Sequence, residues 1–471
     1  MTFTRRGVLG AGALAGAWIG LPKALRTWRQ SSGGAPQVLV LWSGDATQTT
    51  VELTALTQGG TSVGPAIATN SDMAGAVFLP AAPPDQHSWN RWHASGLRAG
   101  TQYFWQLVDT STVGRPLFFG PIARFKTLQP IGKPCTIKRA FGTCTQNDTP
   151  SQHVDPAAFV DIIEWGPDRV GHHGDLGYPA GLTRHPGTHV KALTKNLQVR
   201  GMSGTDHAAG ILQLFCMDYI RSDHDTNSGN NLPNYHDPVT AASIVAWQEM
   251  VPFRQADSEY PTHGLWRSEV EGRVRFIKLD YRSIDRSNSI GEHPASLSST
   301  MLGATQLTWL KDELLAAAVA RQLVVLLTDS SWNGVCPNPV PMSLSDKMPA
   351  YQHERDHISD FAAAIGVDMI IVHGDTHLML QDETHEKNGF VVIGCSPFDQ
   401  LAQGHFQDSY DWVYPPGQPA TRGTVKAQQY QRLVWADDGT TITFTATARD
   451  CSKGAAARSM RTLTRTYRPG S

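Results

Sequence analysis

The sequence predicts an α/β domain preceded by a smaller all-β domain, and three observations carry that prediction. From Gln37 to Thr127, short apolar runs are separated by Gly, Pro, Asn and Asp turns, the pattern of an antiparallel sandwich. Beyond Pro130–Pro134, apolar strand-length runs alternate with segments of helical spacing, as strands do when helices pack over them. The length of 471 residues exceeds one typical domain and allows a large core. The division that follows is a leader at 1–30, a β-sandwich at 35–129 and an α/β domain at 135–471.

Taken in order, Thr4-Arg5-Arg6-Gly7-Val8-Leu9 precedes a Gly/Ala-rich apolar run through Leu21, with Lys23 and Arg26 beyond it. Paired arginines before a mildly hydrophobic run resemble a twin-arginine export signal, here with Val8 in place of the usual Phe. That implies passage through the twin-arginine export machinery and an exported protein: periplasmic, cell-wall-associated or extracellular. The run is short for an uncleaved membrane anchor, and no stable membrane span is expected once the signal is removed. Forty Lys and Arg against forty-two Asp and Glu leave a net charge of −2, so no imbalance points to nucleic acid or an anionic membrane. Six cysteines have no metal-finger or Cys-x-x-Cys spacing; their even number permits disulfides without assigning them.

In the first domain, Val38–Trp42 and Thr50–Thr54 read as strands, and Gly96 to Leu107 as a turn feeding an alternating strand. Its Gly-Leu-x-x-Gly-Thr-x-Tyr-Phe-x-x-x-Leu arrangement resembles the fibronectin-III-like modules found ahead of secreted phosphatases. The segment carries no obvious chemistry and reads as a structural cap or spacer. In the second domain, helical spacing over Leu307–Leu315 leads to a buried strand at Leu323–Leu327. A helix over Tyr351–Ile365 leads to another strand at Met369–Val372, and strands return over Gln429–Tyr467 around Asp437-Asp438-Gly439.

Metal-compatible chemistry concentrates in four places. The turn Val372-His373-Gly374-Asp375-Thr376-His377 follows an apolar strand, where open α/β sheets place ligand sites. A second Gly-Asp turn, Gly174-Asp175-Leu176-Gly177-Tyr178, stands about two hundred residues earlier. Phe141-Gly142-Thr143-Cys144 and Ser222-Asp223-His224-Asp225 complete the set. Singly, each has a plain structural reading. Cys144 is then a buried hydrophobe, Tyr178 a packing residue, Asp223-His224-Asp225 a cap, and Asp280-Tyr281-Arg282 a surface ion pair. Cys395 in Gly394-Cys395-Ser396-Pro397 reads as structural.

Together and in this order they resemble the alkaline phosphatase D (PhoD-like) family of the calcineurin-like metallophosphoesterase superfamily. Met301-Leu302-Gly303-Ala304-Thr305-Gln306-Leu307-Thr308-Trp309-Leu310 is similar to that family's Met-Leu-Gly-x-x-Gln-x-x-Trp-Leu segment, and Leu279-Asp280-Tyr281-Arg282 to its Leu-Asp-Thr-Arg strand end. Asp346–Tyr351 with Glu354 and Arg355 resembles Asp-x-Trp-x-Gly-Tyr-x-x-Glu-Arg. Here Met348 replaces Trp, Ala350 replaces Gly, and Arg221-Ser222-Asp223-His224 stands for Trp-Asp-Asp-His.

The resemblance implies a metallophosphoesterase β-sandwich flanked by helices, and hydrolysis of phosphoric esters by a metal-activated water. It implies ferric iron with calcium, zinc or manganese being the alternatives. The implied ligands are Cys144, Asp175, Tyr178, Asp223, Asp375 and His377. Asp175 would bridge two cations, Cys144 and Tyr178 would suit a ferric ion, and Asp223 and Asp375 would supply oxygen to calcium. His224 would protonate the leaving oxygen and Arg282 would clamp phosphate. His172, His173, His373 and Asp225 receive no role. Thr183–His207 and Ser331–Met348 are expected to border the mouth. A reading from another class is an envelope binding protein whose phosphatase fold is catalytically silent, for which the altered residues at Met348, Ala350 and Ser222 speak.

Overall fold

The computed structural model describes residues 37–59, 63–109, 117–145, 157–176, 178, 185–199, 210–226, 238–254, 264–282, 286–287, 289–398, 410–414, 428–452 and 457–470. The expected export signal at 1–30 lies outside the described residues.

The N-terminal strands form two antiparallel sheets. One holds β1 (Gln37–Gly44), β2 (Val51–Gln58) and β5 (Trp89–Ala94); the other holds β3 (Val63–Ala68), β4 (Val77–Phe78), β6 (Gln102–Asp109) and β7 (Leu117–Lys126). Their apolar faces meet on Leu41, Leu53, Val63, Trp105 and Phe125, so this is a small sandwich, as the turn spacing predicts.

The larger part stacks two sheets between two layers of helices. The first sheet runs β10-β9-β8-β18-β19-β20, built from β8 (Thr136–Gly142), β9 (Arg169–His173), β10 (Cys216–Ile220), β18 (Gln429–Asp437), β19 (Ile442–Asp450) and β20 (Arg458–Tyr467). The second runs β11-β12-β13-β14-β16-β15-β17. Its strands are β11 (Arg267–Glu271), β12 (Val274–Lys278), β13 (Leu323–Thr328), β14 (Met369–His373), β15 (Met379–Asp382), β16 (Val391–Gly394) and β17 (Trp412–Tyr414).

The pleat explains why the central strands read as unbroken apolar runs. In β14, Ile370 and Val372 face the other sheet while Met369 and Ile371 face helices Gly303–Val319 and Gln352–Ala364. The inner face joins Phe141, Leu433 and Trp435 of the first sheet to Val325, Leu327 and Ile393 of the second. The first sheet's outer face is covered by helices Ala157–Trp165 and Pro238–Met250, together with Trp42 and Trp89 of the sandwich. No helix among the described residues is long and apolar enough to cross a membrane.

This stacking brings the carboxyl ends of β9 and β14 together. A Cβ on Gly374 would stand 2.4 Å from the carbonyl oxygen of His173, and one on Gly174 would stand 2.1 Å from the Cβ of Ser222. Glycine at 374 is therefore a condition of contact between the sheets, and glycine at 174 of contact between the ends of neighbouring strands β9 and β10, which is the physical reason for two Gly-Asp turns.

Candidate metal centre

The residues after each glycine carry the chemistry, and their backbone is unusual. Cys144, Asp175, Asp375 and His377 all lie in the left-handed region, with φ of 53°, 59°, 59° and 53°. Non-glycine residues held there cost roughly 1–3 kcal/mol each, and such strain gathers where side chains must converge. Local bonds hold the turns in place. The amide of Cys144 donates to Gly174 O (3.0 Å), that of Thr145 to Asp175 O (2.8 Å), and Thr143 Oγ1 donates to His173 O (2.8 Å).

Two donor clusters result. Cys144, Asp175, Asp375 and His377 each present a ligand atom within 4.8 Å of the others, and so do Asp175, Asp223 and His224. Asp175 belongs to both. Tyr178 Oη donates to Asp175 Oδ2 (3.0 Å) and lies 3.1 Å from His377 Nε2, and Cys144 Sγ donates to Asp175 Oδ2 (3.6 Å). The backbone N–H of His224 donates to the other oxygen, Oδ1, at 3.2 Å. All six expected ligands thus converge. The pairing of Asp375 with Asp223 as joint calcium donors is not the grouping seen: Asp375 stands with Cys144 and His377, because the turn after β14 carries Asp375 and His377 together.

His224 sits at the rim, its ring 4.2 Å from that of Tyr178 and its side chain 28% exposed. Arg282 lies beneath the site instead of in its mouth. Its side chain is fully buried, Nε donates to Asp329 and Nη1 to Asp346 (2.9 Å), and Nη2 stands 3.8 Å from Asp375 Oδ2. A guanidinium so enclosed cannot meet a substrate; it braces Asp375. The surface ion-pair reading of Asp280-Tyr281-Arg282 fails likewise, since all three are buried. Met348 and Ala350 are core residues, and Ser222 is the small neighbour that admits Gly174. Cys395 is buried in the inter-sheet core, as expected. Of the expected mouth segments, 183–184 and 200–207 lie outside the described residues, as does Gly177.

Two residues of the site escaped the sequence reading. Asp225 accepts N–H bonds from Asp175 (2.9 Å), Leu176 (3.1 Å) and Ser222 (2.9 Å), tying two motifs together. Its only sequence signal is adjacency to His224. Lys347 donates to Asp375 Oδ2 at 2.6 Å; it lies inside a recognised segment, but at a variable position.

Electrostatics shows what the cluster lacks. Burial, and then the charges of Asp223, Asp375 and Asp225, push the Asp175 carboxyl well above the usual range. Burial and Asp175 do the same to the Cys144 thiol and the Tyr178 phenol. Burial pushes Asp375 up to about 7 even though Lys347 draws it down. Only Asp223 is held low: His224, Arg282 and Lys347 outweigh its burial. The buried thiol, phenol and carboxyl donors of Cys144, Tyr178, Asp175 and Asp375, resisting ionisation beside the His377 imidazole, fit a site completed by cations, which stabilise the deprotonated forms.

The comparisons with known proteins agree with this geometry. A model of the PhoD-like phosphatase family matches residues 218–407. The chain resembles the solved structure of PhoD at 17% identity and a TM-score of 0.70, covering 92% of this chain and 90% of that one. It also resembles purple acid phosphatase PPD1 from yellow lupin (Lupinus luteus) seeds at 13% identity and a TM-score of 0.61, covering 92% and 74%. At these identities the two structures speak for the fold. No curated protein sequence matches. The β9 and β14 turns, the shared carboxylate and the matched segment lead to one conclusion: the chain carries a PhoD-like phosphatase domain, that of a metal-dependent phosphoric-ester hydrolase, behind an all-β domain.

Proposed function

We propose that this protein is an exported phosphatase or phosphodiesterase whose two cations, ferric iron and calcium, share Asp175. The observation that carries this reading is the single buried carboxylate common to two donor clusters. Cys144, Tyr178, His377 and Asp375 would hold the first cation, a set whose thiol and phenol suit a highly charged ion. Asp223 would join Asp175 at the second, with zinc or manganese as alternatives at either. When bound, the pair supplies Lewis-acid charge and a water acidic enough to attack phosphorus.

The chain's own residues do the rest. Asp175 keeps both oxygens in use, one toward each cluster, and Asp225 fixes the backbone that aims it. His224, beside Asp223 and partly exposed, is placed to give a proton to the leaving ester oxygen. The paired arginines near the amino terminus support export by the twin-arginine route.

The test is steady-state hydrolysis of a chromogenic phosphomonoester and the matching diester by protein loaded with iron and calcium. Asp175→Asn should lose about a thousandfold in kcat/KM, roughly 4 kcal/mol of transition-state stabilisation, and the monoester-to-diester ratio would narrow the substrate. A visible charge-transfer band is expected from the ferric phenolate or thiolate; a colourless, iron-free, fully active enzyme would remove the iron assignment. No turnover by folded, metal-loaded protein would return the binding-protein reading.

A further inference from the structure

Building on the phosphoesterase reading, we propose that Lys347 is a substrate-binding residue. Its ammonium holds a non-bridging phosphoryl oxygen of the ester while staying paired with Asp375. A phosphoric ester arrives as an anion, so a binding site gains from a positive charge of the chain that reaches the phosphoryl oxygens. Arg282 cannot provide it: its side chain is wholly enclosed and two of its three nitrogens are engaged by Asp329 and Asp346. Lys347 approaches the same oxygen of Asp375 that Arg282 faces, at 2.6 Å against 3.8 Å, and its side chain keeps 11% of its surface exposed. In the second cluster the side chain of His224 is 28% exposed, so solvent reaches this part of the centre.

The backbone delivers this lysine rigidly. The amide of Lys347 donates to Leu344 O (3.1 Å), that of Met348 to Ser331 O (3.2 Å), and that of Ala350 to Lys347 O (2.9 Å). The preceding Asp346 is fixed by Arg282 (2.9 Å). An ammonium has three donors and no acceptor. Among the described residues one donor goes to Asp375 and the next carboxylate, Asp346, is 3.8 Å away. Donor capacity therefore remains for a phosphoryl oxygen without releasing Asp375. The rival role is that of a mere counter-ion to Asp375, which would position the metal ligand and never touch substrate.

The experiment is calorimetric titration of the metal-loaded protein with inorganic phosphate, alongside metal content and steady-state kinetics, for wild type, Lys347→Met and Lys347→Arg. Lys347→Met should retain its metals, weaken phosphate binding by at least about tenfold and raise KM more than it lowers kcat. Lys347→Arg should stay within about threefold of wild type on the same scale. If Lys347→Met does not fold, Lys347→Gln, which keeps a donor to Asp375 but no charge, carries the same expectation. Unchanged phosphate affinity at full metal content would overturn the proposal. So would loss of metal from Lys347→Met that Lys347→Arg restores, since that is the signature of a positioning residue. Wild-type protein that neither binds phosphate nor turns over ester would overturn the phosphoesterase reading itself, a distinct result.

Discussion

Two buried clusters of carboxylates in this protein look alike by composition and differ in what balances them. At the junction of the sandwich with the larger domain, Asp45, Asp218, Glu269 and Glu271 face Arg139, Arg169, Arg267 and Lys278. Lys278 alone reaches Asp45, Asp218 and Glu269 at 3.0–3.2 Å. Four acids meet four bases, and Asp45 and Glu269 are held well below the usual carboxylate range because those cations outweigh burial. At the centre between β9 and β14, Asp175 and Asp225 have no ion-pair partner among the described residues, and Asp175 is driven the other way. Three of the junction carboxylates lie close enough to hold a cation by distance alone. Proximity is thus a poor guide to a metal site; the uncancelled charge is the discriminating feature.

Removing one cation from the balanced cluster should have the largest effect on stability. Lys278→Met should cost about 3–5 kcal/mol, because it leaves carboxylates buried and unpaired. Chemical denaturation would read it, and added metal should not restore the loss. A full rescue by divalent cation would erase the distinction between the clusters.

At the metal centre the dependence should be reversed. Stripping the protein with a chelator and restoring metal to about a hundred times its dissociation constant should regain about 2.7 kcal/mol. Thermal unfolding with and without metal checks this, and an unmoved transition would count against the uncancelled charge as a binding site.

Asp225→Asn sharpens the comparison from within. It removes no expected ligand, yet weakens the acceptor of three amides, so activity or metal affinity should fall about ten- to a hundredfold. Parallel metal titration and kinetics would separate the two.

The subtlest difference is in pH. Glu269 has a depressed folded pKa, so its contribution is present above its unfolded value near 4.5 and is lost as pH falls below it. Asp375 of the metal-free protein is raised to about 7 from 3.8. There the folded state binds the extra proton, and stability falls as pH rises from about 4 toward 7. Lys278→Met should therefore flatten the acid limb of stability, and metal should abolish the loss on the neutral side. Identical profiles with and without metal would contradict the second assignment.

Much of this was legible from residue order. β13 and β14 appear as apolar runs because both faces are buried, and the Gly-Asp turns mark their own chemistry because a tight turn at a strand end leaves few residue types possible. Arg282 was legible as important, but its place was not: a guanidinium reads the same whether it meets solvent or lies under three carboxylates. Asp225 and Lys347 act through partners about fifty and twenty-eight residues away, a relation that no local pattern encodes.

The sequence by itself determined the two-part architecture, the strands that carry the site and the donors at their ends, because strand periodicity and turn chemistry are local. Only the tertiary structure decided which donors share Asp175, which cations face Asp375, and which carboxylates the chain neutralises for itself. Those outcomes depend on distances between segments far apart in the chain, set where Gly374 after β14 abuts His173 of β9, and on burial, which converts such distances into charge that must be balanced.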